Sequence, residues 1–215
     1  MSKAKVKFVE QAPPITMPAD RALATRKGDV GTGPWIELIT GGRFYFNKPM
    51  YDIGAIAHSL SHVCRFTGHC RKFYSVAEHS VLVSRIMEDM GLGDPLEGLL
   101  HDGVESVLAD VARPIKSLLK DYKALEAALD IAMRKQFALP EQMTDGCKRA
   151  DTIALMIEAR EIMPNKGANF ENIPDEDLLA AKKASYMIAA WSPENARERF
   201  MTRMHDIRRR TRALR

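Results

Sequence analysis

Apolar residues recur along much of the chain at the spacing of a single helix face. Ile53, Ile56, Ala57 and Leu60 occupy positions i, i+3, i+4 and i+7, which predicts a helix that begins after Asp52 and ends near residue 64. Comparable patterns, bounded by capping residues and prolines, predict further helices after residues 75 and 94 and over residues 121–137, 144–163, 175–191 and 193–209. The sequence therefore predicts a mostly α fold.

A β-prone stretch precedes the helices. Residues 35–40 and 43–46 are rich in aromatic and β-branched side chains and flank Gly41-Gly42, which is typical of a hairpin with a two-residue glycine turn. Residues 1–30 contain prolines and lysines without a clear period and predict an extended arm. We therefore expect this arm, followed by a single helical domain over residues 31–210 with a small N-terminal hairpin at about residues 35–46.

Two helix starts carry specific capping signals. Ser75, followed three residues later by Glu78, predicts a capping box, in which each side chain bonds the backbone N–H of the other residue. Asp94 and a following proline predict the start of the next helix. His101 and Asp102 then fall in its second turn or just past it.

Three features modify this helical pattern. Glu105 lies four residues beyond His101, so the two side chains share one face if the helix continues. Pro114 predicts a loop or a helix break within residues 110–116. Residues 65–74 combine a glycine with basic and aromatic residues and predict a loop that presents charge.

Composition argues against a membrane protein and a disulfide-rich secreted domain. The 215 residues are 46% hydrophobic and 28% charged, and no apolar run approaches the ~18 residues that a membrane span needs. Because there is no apolar signal segment and only three cysteines, we expect a cytoplasmic protein without a membrane partner. Arginines cluster over residues 197–215 with a single aromatic, Phe200, among them, so we expect a solvated helix end and no nucleic-acid partner.

The candidate chemistry comes from histidines and acids on three predicted helices. His79, the adjacent pair His101 and Asp102, and Asp151 together supply two imidazoles and two carboxylates. Such a set suits Mn, Fe, Co, Ni or Zn better than Mg or Ca, which prefer oxygen ligands throughout. From the residues alone, another interpretation stays open, in which His79 is a core histidine and Asp151 a surface acid.

This ordered set, together with residues 65–69 and 73–80, resembles the HD-domain metal-dependent phosphohydrolases. Within them the chain is similar to the branch of YfbR-like 5′-deoxynucleotidases and phage or bacterial HD hydrolases that include dATP triphosphohydrolases. The resemblance covers about residues 52–163 and implies an HD-domain helical bundle with its catalytic helices there, whereas the C-terminal helices expected at about residues 175–209 lie outside it. It also implies one divalent transition metal, with the ligands His79, His101, Asp102 and Asp151.

The resemblance implies roles for six further residues. Glu105 would orient or deprotonate the attacking water, and Asp110 would lie near the leaving group. Phosphate contacts are implied for the side chains of Arg65 and Lys116. Phe66 stands where the deoxynucleotidases carry tryptophan, so the sugar or base contact there stays open. For His69 two roles stay open: its side chain would either contact the phosphate or form a structural hydrogen bond within its own loop.

The implied activity is hydrolysis of (deoxy)nucleotide phosphate esters or anhydrides by a metal-activated water. The alternative is a catalytically silent HD domain that binds a nucleotide or a partner protein. Loss of Glu105 or Lys116 would favour the silent domain, and because both are present we expect an enzyme with a small nucleotide as substrate. Three questions stay open: whether the substrate is a monophosphate or a triphosphate, which base it carries, and whether the chain is a monomer or a homodimer.

Overall fold

The computed structural model describes residues 31–213, and the arm predicted over residues 1–30 lies outside them. Strands β1 (Trp35–Glu37) and β2 (Arg43–Tyr45) form an antiparallel hairpin, with Ile36 opposite Phe44. The rest of the described chain is mainly helical, which confirms the mostly α fold with a small N-terminal hairpin. The helices are α1 (Ile53–His62), α2 (Val76–Asp89), α3 (Pro95–Leu100), α4 (Glu105–Leu108), α5 (Arg113–Leu118), α6 (Lys120–Phe137), α7 (Asp145–Ile162), α8 (Asp175–Lys183) and α9 (Pro193–Ala213).

The hairpin turn is longer than the predicted two-residue glycine turn. The Gly41 N–H donates to the Leu38 carbonyl and the Leu38 N–H donates to the Gly42 carbonyl, each at 2.8 Å. The turn is therefore centred on residues 39–40, and Gly41, at φ +76°, follows it as a bulge. A turn followed by a left-handed glycine is a common three-residue hairpin loop, and that left-handed position favours glycine.

The predicted starts of three long helices are confirmed by their caps. The Asp52 side chain accepts the Ala55 N–H at 2.7 Å and begins α1. The Ser75 hydroxyl accepts the Glu78 N–H at 3.1 Å and begins α2, while Thr144 caps α7 in the same way. The predicted end of α6 before residue 140 is confirmed as well.

The structure differs from two predictions around the centre of the chain. His101 and Glu105 do not share a continuous helix, because α3 ends at Leu100 and α4 begins at Glu105. The turn between them packs closely on α6, since a Cβ atom on Gly103 would lie 2.5 Å from the Met133 sulfur. The loop predicted within residues 110–116 is confirmed over residues 110–112 only, because α5 begins at Arg113 and holds Pro114 in its first turn, where the missing N–H costs nothing.

The helix predicted over residues 175–191 ends early, at Lys183. The Glu78 carboxylate accepts backbone N–H groups from Ala189, Ala190 and Trp191 at 3.1, 3.0 and 2.7 Å. A helix would have used these N–H groups internally, so Glu78 holds residues 184–192, here called the strap, in a non-helical path. The reciprocal half of the predicted capping box is therefore wrong, because the Glu78 carboxylate is used by the strap.

The two apolar cores of residues 31–213 meet at α2. Ala77 and Val81 pack into a cluster with side chains of α1, α3, α6 and α9, whereas Val83 and Ile86 pack into a second cluster with α7. His79 lies on the same helix and is fully buried. The core thus fixes the position of the first candidate ligand. Between residues 31 and 213 every helix is too short or too polar to cross a membrane.

Candidate metal centre

The four predicted ligands come together where α2, α3 and α7 meet. The Nε2 atom of His79 lies 3.2 Å from His101 Nε2, 3.2 Å from Asp151 Oδ1 and 3.5 Å from Asp102 Oδ2. His101 Nε2 lies 3.2 Å from Asp102 Oδ2 and 3.9 Å from Asp151 Oδ1. Neighbouring ligands of one transition metal lie about 3.0–3.4 Å apart when each bond is about 2.1 Å. His79, His101 and Asp151 therefore form a group that can hold a metal ion, with Asp102 beside it.

Hydrogen bonds orient both imidazole rings so that each could bind a metal through Nε2. The Nδ1 atom of His101 lies 2.9 Å from the Gly98 carbonyl, and Nδ1 of His79 lies 2.5 Å from Glu158 Oε1. Because a carbonyl or carboxylate oxygen only accepts, each Nδ1 carries the proton and each Nε2 turns a lone pair toward the other. Two lone pairs 3.2 Å apart repel unless a proton or a metal cation lies between them. The donor set fits a cation.

The charged groups around the centre raise the pKa values of both imidazole rings. Burial lowers the pKa of His101, but Asp102 and Asp151 raise it more, to about 9. Burial and Arg65 lower the pKa of His79, and the carboxylates of Glu158 and Asp151 outweigh them and raise it. A centre without metal therefore attracts protons to the positions where a cation would bind.

The centre is closed on one side and open on the other. Both imidazoles are buried, whereas the side chains of Asp102 and Asp151 are 22% and 28% exposed. The carboxylate side of the centre is therefore the side that reaches solvent.

Glu158, which the sequence reasoning missed, joins three parts of the site. Its fully buried carboxylate accepts from His79 Nδ1 at 2.5 Å and from the Tyr74 hydroxyl at 2.9 Å. It also accepts from Arg65 through Nε at 3.2 Å and Nη2 at 3.1 Å. Burial raises the pKa of Glu158, but Arg65 and His79 outweigh it and hold the carboxylate ionised. Carboxylates in this position orient ligating histidines. The available signal was the seven-residue spacing from Asp151, which puts both acids on one face of α7.

The expectation that residues 65–74 present charge is wrong for Arg65. Its side chain is only 12% exposed, with Nε and Nη2 on Glu158 and Nη1 3.6 Å from Asp102 Oδ2. Phe66 and Thr67 adopt left-handed backbone angles, at φ +57° and +53°, which change the direction of the chain after Arg65. The guanidinium carbon lies 5.3 Å from the centre of the Phe66 ring. Arg65 and Phe66 therefore stand together at the edge of the centre.

Glu105 and Asp110, the predicted catalytic residues, both have raised pKa values. Glu105 is buried, its Oε1 lies 3.4 Å from Lys116 Nζ, and its Oε2 has no hydrogen-bond partner among residues 31–213. Burial and the nearby charges of Asp102 and Asp110 raise the pKa of Glu105 well above its ordinary value. Burial likewise raises the pKa of Asp110, in spite of Arg65.

Lys116 and His69 are not placed as free phosphate contacts. Lys116 Nζ binds Glu126 Oε1 at 2.6 Å as well as Glu105, and these carboxylates raise the pKa of Lys116 although burial lowers it. His69 is exposed, and its backbone N–H donates to the Phe66 carbonyl at 2.9 Å. Its side chain makes no hydrogen bond to any other described residue. The structure therefore does not connect His69 to the centre.

Arg65→Ala is expected to lower the melting temperature by about 6–12 °C. Removing one partner of a buried ion pair costs about 3 kcal/mol, and Tyr74 and His79, which still donate to Glu158, keep the loss at the lower end of the usual range. Thermal unfolding of the variant measures this. Arg71→Ala, at an exposed arginine of the same loop, is the control and should unfold with the wild type. Equal melting of both variants would contradict the Glu158 pairing.

Two relatives match the chain over most of their length. The chain is 35% identical over 179 residues to the uncharacterized protein YfdR of Escherichia coli (strain K12), a match that covers 80% of this chain and 95% of YfdR. It is 32% identical over 192 residues to the uncharacterized protein RCAP_rcc00048 of Rhodobacter capsulatus, covering 81% of this chain and 96% of that protein. No protein-family model matches the chain. Neither relative's name states an activity.

Proposed function

The chain belongs to the same family as YfdR, and we propose that it is a metal-dependent phosphohydrolase that acts on (deoxy)nucleotide phosphate esters or anhydrides. The observation that carries the proposal is the pair of imidazole Nε2 atoms, which lie 3.2 Å apart and are flanked by the partly exposed carboxylates of Asp102 and Asp151. Two nitrogen and two oxygen donors favour one divalent ion of Mn, Fe, Co, Ni or Zn. The resemblance of the sequence to the HD-domain hydrolases supports the same chemistry.

The proposal gives each part of the site a task. A bound divalent ion supplies Lewis acidity to a phosphoryl oxygen and to an attacking water. Glu105 takes the proton of that water, because its carboxylate is buried, its Oε2 has no partner among the described side chains, and its pKa is raised. A carboxylate with a raised pKa holds a proton better near neutral pH than an ordinary one.

Substrate phosphate is bound by the cations at the edge of the centre. Arg65 keeps Nε and Nη2 on Glu158 and uses Nη1, now 3.6 Å from Asp102, for a phosphate oxygen. Lys116 exchanges its longer contact, to Glu105 at 3.4 Å, for the substrate and keeps Glu126 at 2.6 Å. This exchange frees Glu105 for the attacking water.

One observation favours the silent-domain alternative. Both cations are already paired with carboxylates of the protein, Arg65 with Glu158 and Lys116 with Glu126. A chain that only bound a nucleotide would leave these pairs intact. The enzyme and the silent domain would therefore both bind a metal, and they would differ in whether the bound nucleotide is hydrolysed.

A product screen tests the proposal. Purified protein is loaded separately with each of the five metals and incubated with deoxynucleoside monophosphates and triphosphates. Release of orthophosphate from the monophosphates, or of tripolyphosphate from the triphosphates, is the expected result, and Asp151→Asn is the control that should abolish it. Metal and nucleotide binding without any product would favour the silent domain, and absence of metal binding would contradict both functions.

Metal binding is expected to release protons and to strengthen as the pH rises toward about 9. Although burial lowers the pKa of His101, Asp102 and Asp151 raise it to about 9, so at neutral pH the metal-free protein carries a proton that the ion must displace. Titration calorimetry in two buffers of different ionisation enthalpy measures the released protons. A reaction heat that is the same in both buffers would contradict proton displacement.

A further inference from the structure

The outward side of α6 carries apolar residues that face solvent. Of its 18 residues only Leu129, Met133 and Arg134 are buried. Leu125, Ala128 and Ile131, here called the α6 face, are exposed, and Ile131 is 63% exposed. Their spacing of three residues is close to the 3.5-residue period with which one helix packs along another. The α6 face therefore has the pattern of a helix that pairs with a second helix.

The charged residues at the two ends of the α6 face indicate that a second copy of α6 can pack on this surface. Asp121 and Lys135 are exposed and lie seven positions before and after Ala128, on the same side of the helix. A second α6 that runs antiparallel and crosses at Ala128 brings each Asp121 opposite a Lys135. The same register puts each Leu125 opposite an Ile131, since their numbers are also symmetric about residue 128. A parallel pair would instead put like charges together.

We propose that two copies of the chain form a dimer through antiparallel α6 faces, with the two-fold axis at Ala128. One surface then serves both partners, as closed two-fold assemblies require. The small side chain of Ala128 allows the helices to approach, and the ion pairs at both ends fix the direction. This proposal does not depend on the enzymatic activity, although the opposite side of α6 carries Glu126, the partner of Lys116.

Sedimentation velocity of the full chain, with and without substitutions, tests the dimer. The wild type is expected to sediment as a dimer at micromolar concentration, and Ile131→Glu as a monomer. This change leaves the helix intact, because the new carboxylate lies four residues before Lys135 and favours the helix. Met187→Glu, at a residue 84% exposed on the strap, is the matched control and should stay dimeric. A monomeric wild type, or a dimeric Ile131→Glu, would overturn the proposal.

Charge reversal tests the register. Asp121→Lys and Lys135→Asp should each weaken the dimer about tenfold, and the double variant should restore it, because each reversed charge again meets its opposite. An oxidant should also link Ala128→Cys into a disulfide dimer much faster than Ala127→Cys, which lies about 100° around the helix. Equal cross-linking, or no rescue by the double variant, would overturn the antiparallel arrangement. A monomer in which the thiol of Ala128→Cys reacts slowly with alkylating reagents would overturn the dimer and show that the α6 face is covered within the chain itself.

Discussion

His101→Ala and Asp102→Ala are each expected to lose the bound metal and all metal-dependent turnover. The wild type should retain about one ion per chain after loading and buffer exchange, since its donors are held in place before the ion arrives. His101→Ala removes one of the two facing Nε2 atoms and leaves His79 with carboxylates alone. Asp102→Ala removes the oxygen that lies 3.2 Å from His101 Nε2. Elemental analysis of the loaded proteins measures the result.

His69→Ala is the control for these two variants. It also removes a histidine, but one that is exposed and makes no side-chain hydrogen bond within the described part of the chain. It should keep the full metal content. If His101→Ala and Asp102→Ala also retain metal at the wild-type level, the ion is bound elsewhere and the proposed centre is wrong.

Glu105→Gln is expected to reduce turnover by ~10²–10⁴ while metal content is unchanged. The amide keeps the shape of the carboxylate but cannot take a proton from water. Burial and the charges of Asp102 and Asp110 raise the pKa of Glu105, so in the metal-free protein this group lowers stability increasingly as the pH rises above its ordinary pKa. Glutamine removes that cost. The metal-free variant should therefore melt at or above the wild-type temperature at neutral pH.

The control for Glu105→Gln is Glu126→Gln. Glu126 is the other carboxylate on Lys116, at 2.6 Å, so its loss removes the shorter ion pair without touching the proposed base. Steady-state rates and thermal unfolding are measured for both variants. Turnover of Glu105→Gln within a few-fold of wild type, or an equal loss in Glu126→Gln, would assign the effect to Lys116 rather than to proton transfer.

Local signals in the sequence predicted much of the fold and singled out residues that the structure brings together at the centre. Caps such as Asp52 and Thr144 act within three residues of their own position, so they can be recognised without tertiary information. His101 and Asp102 stood out because two polar residues interrupt an apolar run, where burial requires a partner. These features depend on neighbours in the chain.

The residues that the sequence did not reveal depend on distant contacts. Glu158 meets His79, Tyr74 and Arg65 across 79, 84 and 93 positions of the chain. Nothing in its own helix distinguishes it from a surface acid except its alignment with Asp151. The end of α8 at Lys183 was missed for the same reason, because the carboxylate that redirects the strap lies more than a hundred residues earlier. In both places tertiary contacts override local preference.

The hydrogen bonds between Glu78 and the strap limit which substitutions and insertions homologues can carry in this segment. The donors at positions 189, 190 and 191 are main-chain amides, so a change of side chain leaves these hydrogen bonds possible as long as none of the three becomes proline. The number of residues is constrained more strongly, because an insertion among these three would move an amide out of reach. An insertion before position 189 leaves the spacing of the three amides unchanged. Homologues should therefore vary in length before position 189 rather than within positions 189–191.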